Sequence, residues 1–113
     1  MNSVMHMSPV KKMYEKHEKL SALKGLGTKS EALLNKIDVY TRSELEEMGP
    51  IRAFNELKEM EGSSVSLNLL YAMVGALENK HWADIAKSER ARLLFELEDY
   101  QTLLKILGEN EIK

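Results

Sequence analysis

A chain of 113 residues with 43% hydrophobic and 30% charged residues has the balance of one soluble globular domain, and its net charge is only −2. The chain contains no cysteine, which excludes disulfides, thiol catalysis and cysteine-based zinc sites and fits a cytoplasmic location. No apolar run approaches the length of a transmembrane helix, so we expect no membrane partner.

Almost every segment has the apolar spacing of a helix, and we predict an all-α fold with five to six helices. Residues 1–8 are expected to form a loose N-terminus, residues 9–108 a single domain and residues 109–113 a tail. The helices are expected at 9–23, 30–36, 41–48, 50–60, 66–79 and 86–107.

Two helix starts have the spacing of a capping box. Thr28 is followed by Glu31, and Thr41 is followed by Glu44. In a capping box the hydroxyl accepts from the third helical N–H while the carboxylate reaches back to the cap residue. The pattern therefore predicts one helix that begins near residue 28 and another that begins near residue 41.

Glycine and proline mark other boundaries. Gly49 should end the helix at 41–48, after which Pro50 suits the first turn of the next helix. Gly108 is expected to end the last helix. Gly75 lies inside the apolar helix at 66–79, where glycine costs about 1 kcal/mol relative to alanine. We therefore expect another helix to approach closely there.

The stretch from residue 23 to residue 34 combines two glycines, one apolar residue and a helix start. Gly25 and Gly27 can adopt strained backbone angles, and Leu26 between them can turn inward. Such a hairpin presents backbone N–H groups beside a positive helix dipole, which is an arrangement that holds phosphate. The predicted DNA-phosphate contacts are Lys24, Gly25, Leu26, Gly27, Thr28 and Lys29.

This spacing resembles the helix-hairpin-helix motif, whose hairpin grips the DNA backbone without reading bases. The resemblance implies a compact, SAM-like bundle. A weak internal repeat supports it, since the loop at 61–65 has the place of a second hairpin. That loop has only Gly62, beside Glu59 and Glu61, and should hold phosphate poorly. The alternative is a tight turn between helices that binds nothing.

Charge is distributed unevenly along the chain. Residues 1–42 carry eight Lys/Arg and four Asp/Glu, whereas residues 43–113 carry eight and fourteen. The basic part contains the hairpin, so the charge pattern favours weak, non-specific and salt-sensitive DNA binding. A chance excess in a short window is the alternative.

Candidate chemistry is sparse. The chain has no nucleophile beside a base, no Walker loop and no cofactor fingerprint, so we predict that it is not an enzyme and needs no cofactor. His81 and Asp84 are two potential metal ligands, which are too few for a metal site. We expect a structural hydrogen bond there instead.

Trp82 and two serines admit two interpretations each. Trp82 is expected to fill the junction of two helices, with stacking on a base as the alternative. Ser64 or Ser66 is expected to cap the helix at 66–79. The alternative is that Ser66 and Asn68 face a phosphate or a partner.

The last helix carries an apolar seam over two heptads. A homodimer through this seam is one interpretation, and a single wide buried face in a monomer is the other. The candidate dimer residues are Leu93, Leu97, Tyr100, Leu104 and Leu107.

From residue 23 to about residue 97 the chain resembles the C-terminal domain of the TfoX (Sxy) DNA-transformation regulators. The most specific parts of the resemblance are the string at 65–72 and the pair His81-Trp82. The resemblance is carried by residues 26–31, Leu34, residues 45–49, residues 65–72, Ala76, Leu77, His81, Trp82 and Asp84.

The resemblance implies a regulatory role without catalysis. Such regulators activate competence genes together with the cyclic-AMP receptor protein, so a transcription factor is an expected partner. They also carry an N-terminal domain before this one. A separate protein with that domain is therefore a second expected partner. Thr28 stands where the family would lead us to expect a proline.

Overall fold

The computed structural model describes residues 18–112, and within this range the fold is all-α, which confirms the predicted class. Two short 3-10 turns, Leu20–Ala22 and Gly62–Ser64, accompany the α-helices. None of the helices in the described range is long and apolar enough to span a bilayer. The helices are α1 (Thr28–Asn35), α2 (Arg42–Met48), α3 (Pro50–Glu61), α4 (Leu67–Glu78), α5 (Trp82–Ser88) and α6 (Arg90–Ile112).

The core is built around α4, as its apolar composition on all faces leads one to expect. Residues 69–76 of this helix are all buried. Each fully buried apolar side chain that packs around α4 contributes about 2 kcal/mol of hydrophobic free energy. Those from the other elements include Leu20, Leu34, Leu45, Leu57, Ile85 and Leu93.

The boundaries of α2 and α3 confirm the local signals. Thr41 Oγ1 accepts from the backbone N–H of Glu44 at 3.2 Å, and Glu44 Oε1 accepts from the N–H of Thr41 at 3.1 Å. This is the complete capping box. Gly49 follows α2 with a φ of +87°, a conformation that favours glycine, and Pro50 opens α3.

The chain before the hairpin differs from the prediction. Residues 18–23 were expected to end a helix, but Lys19 forms an isolated antiparallel bridge with Thr41 and a 3-10 turn follows. The N–H of Arg42 donates to the carbonyl of Glu18 at 3.1 Å, so a long-range pairing holds the start of this segment. The predicted loose N-terminus at 1–8, and residues 9–17 of the predicted helix, lie outside the described residues.

The second half of the chain contains two further corrections. The residues expected to connect the helices at 66–79 and 86–107 include the start of α5, which begins at Trp82. The expected helix at 86–107 is interrupted at Glu89, where φ is −120° and ψ is 5°. Gly108 does not end α6, because it lacks the positive φ of a C-terminal glycine and the helix continues through the predicted tail to Ile112.

Gly75 does meet the expected neighbouring helix, since a Cβ there would lie 3.5 Å from Cγ1 of Ile85 in α5, but a tighter contact comes from the chain just beyond its own helix. A Cβ at this position would lie 2.5 Å from the carbonyl oxygen of Lys80. Asn79 adopts a left-handed conformation, and Lys80 donates its N–H to the carbonyl of Gly75 at 2.8 Å. The chain thus folds back over the end of its own helix, and only glycine leaves room for it.

Candidate functional site

The predicted hairpin is a tight turn whose shape depends on glycine. Leu26 donates its N–H to the carbonyl of Leu23 at 3.2 Å and so closes a four-residue turn. Gly25 is the third residue of this turn and has a φ of +87°. A positive φ at the third position is the requirement of a type II turn, which is why glycine occupies it.

The hairpin faces solvent on the side that the phosphate prediction requires. Leu26 is only 3% exposed and anchors the turn in the core, as expected. Its N–H is already donated to Leu23, so the phosphate contact predicted for Leu26 itself was wrong. The remaining predicted contacts are all exposed, and they are Lys24, Gly25, Gly27, Thr28 and Lys29. The apolar residue therefore fixes the turn, while the residues on either side of it stay exposed.

The first turn of α1 is not closed by the predicted capping box. Gly27 is the N-cap residue and Thr28 is already helical, one position too late for its hydroxyl to cap. Glu31 instead accepts at Oε2 from the backbone N–H of Ser21 at 3.2 Å. Because glycine has no side chain to accept them, the first N–H groups of α1 have no side-chain cap among the described residues.

A groove of about 330 Å³ opens beside the hairpin. It lies between Gly25 and Lys29 on one side and the segment at 64–68 on the other. The first hairpin and the loop predicted as its weak repeat therefore share one depression. Its buried apolar lining comes mainly from Val65, Leu69 and Ala72.

The rim of the groove is polar and carries no negative charge. Among the described residues that line it, Lys29 is the only charged one. Another depression on the surface is lined by Asp38, Glu56 and Glu59 together with Lys36. Of these two depressions, the groove beside the hairpin is the one whose described side chains favour an anion.

Ser66 and Asn68 belong to this rim. Ser66 occupies the N-cap position of α4, but its hydroxyl makes no bond to the helix, so the expected serine cap is not formed. Ser64 donates its hydroxyl to the carbonyl of Glu61 at 2.9 Å instead. Ser66 and Asn68 are exposed and line the groove. The alternative interpretation, that they face a phosphate or a partner, stays a prediction.

Trp82 lies at the groove and not in the core, so the core interpretation was wrong. Its side chain is 38% exposed and lines the depression together with Lys29. It is the first residue of α5, which His81 caps by accepting at Nδ1 from the N–H of Ala83 at 3.1 Å. The polar residues at 78–81 that lead into it are the sequence signal for a surface position.

No metal centre is indicated within the described part of the chain. There is no group of three or more potential His, Asp or Glu ligands there. The imidazole of His81 serves the helix start, and its ring lies 5.7 Å from that of Trp82 at an angle of 31°. The structural hydrogen bond predicted between His81 and Asp84 runs through the backbone, since the N–H of Asp84 donates to the carbonyl of His81 at 3.0 Å, while the imidazole accepts from Ala83.

The predicted dimer face on α6 is divided between core and surface. Leu93 and Leu97 are 2% and 8% exposed, so both are committed to the core of this domain and are not available to a second copy. Tyr100 is half-buried, whereas Leu104 and Leu107 are 39% and 49% exposed. The exposed end of the helix also carries Leu103 and Ile106, outside the predicted set.

Comparison with known families places these observations in context. Residues 16–97 match the model of the TfoX C-terminal domain. The chain belongs to the TfoX C-terminal domain family. This family is not a known family of enzymes. The matched residues include the hairpin, the groove and Trp82, and they end before the exposed part of α6.

One solved structure supports the fold of this TfoX C-terminal domain. It is the crystal structure of an uncharacterized protein from Listeria monocytogenes, with a TM-score of 0.63 and 28% sequence identity. The similarity covers 74% of this chain and 93% of that chain. The search of curated proteins returned no match.

Proposed function

We propose that this TfoX C-terminal domain is a regulatory module without catalytic activity that contacts the DNA backbone through the exposed residues of the hairpin, which are Lys24, Gly25, Gly27, Thr28 and Lys29. One observation carries the proposal: the hairpin is exposed and borders a groove whose described lining includes Lys29 and no acidic residue. Backbone N–H groups and lysines hold phosphates without reading bases. The expected binding is therefore independent of sequence.

The small number of lysines sets the expected strength of binding. Lys24 and Lys29 supply two phosphate contacts, so the dissociation constant should be on the order of micromolar or weaker. Two contacts also predict that the binding constant falls roughly tenfold between about 50 and 200 mM salt. A regulator of this kind needs a partner to reach a particular promoter.

The rest of the molecule would orient the domain on DNA. Residues 43–113 carry fourteen acidic and eight basic residues, so on balance this part of the chain repels a polyanion. The hairpin side would then be the one that approaches the duplex. Charge thus supports a single docking orientation, although no base is read.

The family suggests which partners complete the function. Our proposal is a role like that of competence regulators, exercised beside a transcription factor such as the cyclic-AMP receptor protein. A separate protein that carries the N-terminal domain of the family is the second proposed partner. A module that acts on DNA works where DNA is held, so the proposal keeps the cytoplasmic location.

Fluorescence anisotropy with a labelled duplex at low salt tests the hairpin. The variant Lys24→Glu/Lys29→Glu should lose the salt-sensitive signal. Its matched control is Arg90→Glu/Lys105→Glu, which changes the net charge equally at exposed positions on α6 and should retain most of the binding. Equal losses of DNA binding in the two variants would mean that net charge alone causes the loss, and would refute the hairpin contact.

The exposed end of α6 favours a second candidate function, which is protein interaction or homodimer formation. Leu103, Leu104, Ile106 and Leu107 leave a continuous apolar surface in water. Analytical ultracentrifugation over a range of concentrations should then show self-association that Leu103→Lys/Leu107→Lys abolishes. A wild-type protein that stays monomeric at every concentration would contradict the homodimer.

A further inference from the structure

The indole of Trp82 is the largest aromatic surface beside the hairpin, and the fold does not fully use it. It remains 38% exposed on the wall of the groove. A tryptophan buries about 150–250 Å² when it is covered, so an indole left partly in water retains a sizeable apolar surface for a ligand. The side chains around the indole indicate which class of ligand could cover it.

The lining of the groove selects a flat apolar group that is attached to an anion. Leu69 and Ala72 provide a buried apolar floor beside the indole. Lys29 supplies a positive charge at the rim, and Ser66 and Asn68 supply neutral hydrogen-bonding groups there. A nucleotide combines a π-face, polar base edges and a phosphate, and so matches each of these features.

We infer that this groove holds one unpaired nucleotide of single-stranded DNA, with its base stacked on Trp82 and its phosphate beside Lys29. The inference rests on the proposed backbone contact by the hairpin and adds a preference for unpaired over paired DNA. In a duplex the faces of the bases are covered by their neighbours. A paired strand can therefore reach the hairpin but cannot place a base on the indole.

The size of the groove agrees with this assignment. A volume of about 330 Å³ is at the small end of the range for ligand pockets. It suits a single base with its phosphate and is too small to admit a duplex. A side chain of a peptide could also contact the indole, but the lysine and the absence of acids on the rim favour an anionic polymer.

The sequence provides its own reporter for the test. Trp82 is the only tryptophan of the chain, so intrinsic tryptophan fluorescence reports this groove directly. Titration with a short oligothymidylate should quench the fluorescence, and the matched duplex should quench it much less. Anisotropy with the labelled strands gives the affinities independently of the quenching.

Substitutions of Trp82 separate the contribution of base stacking from that of charge. Trp82→Leu should weaken single-strand binding about fivefold or more, the minimum expected from the loss of one stacked base, and should change duplex binding less than twofold. Trp82→Phe keeps a ring and should retain most of the single-strand affinity. Tyr40→Leu, which removes an exposed aromatic side chain beyond the opposite end of α1, should change neither affinity.

The outcomes separate this inference from the proposed function. Salt-sensitive duplex binding that needs Lys24 and Lys29, without quenching by single strands, would overturn the stacking site alone. Quenching and single-strand binding that depend on Trp82, with duplex binding indifferent to the two lysines, would refute the hairpin contact instead. Unchanged single-strand affinity in Trp82→Leu would also overturn the inference, as would an absence of binding to either DNA.

Discussion

Glu31 in α1 accepts a hydrogen bond at Oε2 from the backbone N–H of Ser21, 3.2 Å away, and so joins the first turns of α1 to the segment before the hairpin. The two residues are ten positions apart and enclose the glycine turn between them. The Glu31 carboxylate therefore links the two chain segments on either side of the hairpin, instead of capping its own helix.

The hydrogen bond from Ser21 to Glu31 predicts that the domain loses stability when the Glu31 carboxylate is removed. Glu31→Ala leaves a part-buried N–H without its partner and should lower the free energy of unfolding by about 1–2 kcal/mol. Glu31→Gln retains an oxygen at the same place and should lose less. Urea unfolding measures both, with Glu98→Ala at an exposed site of α6 as the control. Equal midpoints for Glu31→Ala and the control would contradict a contribution from this hydrogen bond.

The two glycines of α4 and α6 predict opposite responses to the same substitution. Gly75→Ala places a Cβ 2.5 Å from the carbonyl of Lys80, so the backbone must move and the free energy of unfolding should fall by about 1–3 kcal/mol. Gly108→Ala meets nothing within 4 Å and should raise the helical content through better helix propensity. Urea unfolding and circular dichroism test the pair, and a stabilised Gly75→Ala would refute the close approach.

Acid conditions should reveal the ion pair at the junction of α5 and α6. The side chain of Arg92 donates to that of Glu89 and lowers the pKa of its carboxyl. A lowered folded-state pKa contributes stability above the ordinary value of about 4.3, and this is lost as the pH falls through the folded value. The contribution should stay under about 1 kcal/mol because the pair is close to solvent.

Unfolding of the wild type and Glu89→Gln in urea at several pH values measures this contribution. The stability difference between them should be full near neutral pH and should shrink below about pH 4.3. In an Arg92→Met background the same substitution should lose most of its pH-dependent effect, because Arg92 is the largest cause of the lowered pKa of Glu89. A difference that persists unchanged at acidic pH would show that the carboxylate is not held by Arg92.

Part of the apolar seam on α6 is buried and part is exposed. Two leucines of the same sequence pattern should therefore lower the free energy of unfolding unequally when each is replaced. Leu93→Ala removes a side chain that is 2% exposed and should lower the free energy of unfolding by about 2–5 kcal/mol. Leu104→Ala, at 39% exposure, should lower it by less than 1 kcal/mol in dilute protein. Similar losses for the two would mean that the end of α6 packs on the domain.

Local signals were enough for the centre of the fold. The Thr41–Glu44 capping box, the Gly49-Pro50 boundary and the apolar α4 were all predictable, because each depends on residues within one or two turns. The conformation of the segment at 18–23 was not, since it depends on the pairing of Lys19 with Thr41, more than twenty residues away.

The amino-acid sequence by itself determined an all-α domain and a glycine turn anchored by Leu26, because helix periodicity and positive φ are properties of neighbouring residues. Only the tertiary structure decided that Lys29, Ser66 and Trp82 line one groove and that Glu31 links the segments on either side of the turn. Those relationships join separate helices, and the packing of α1, α4 and α5 around a common core determines which side chains meet.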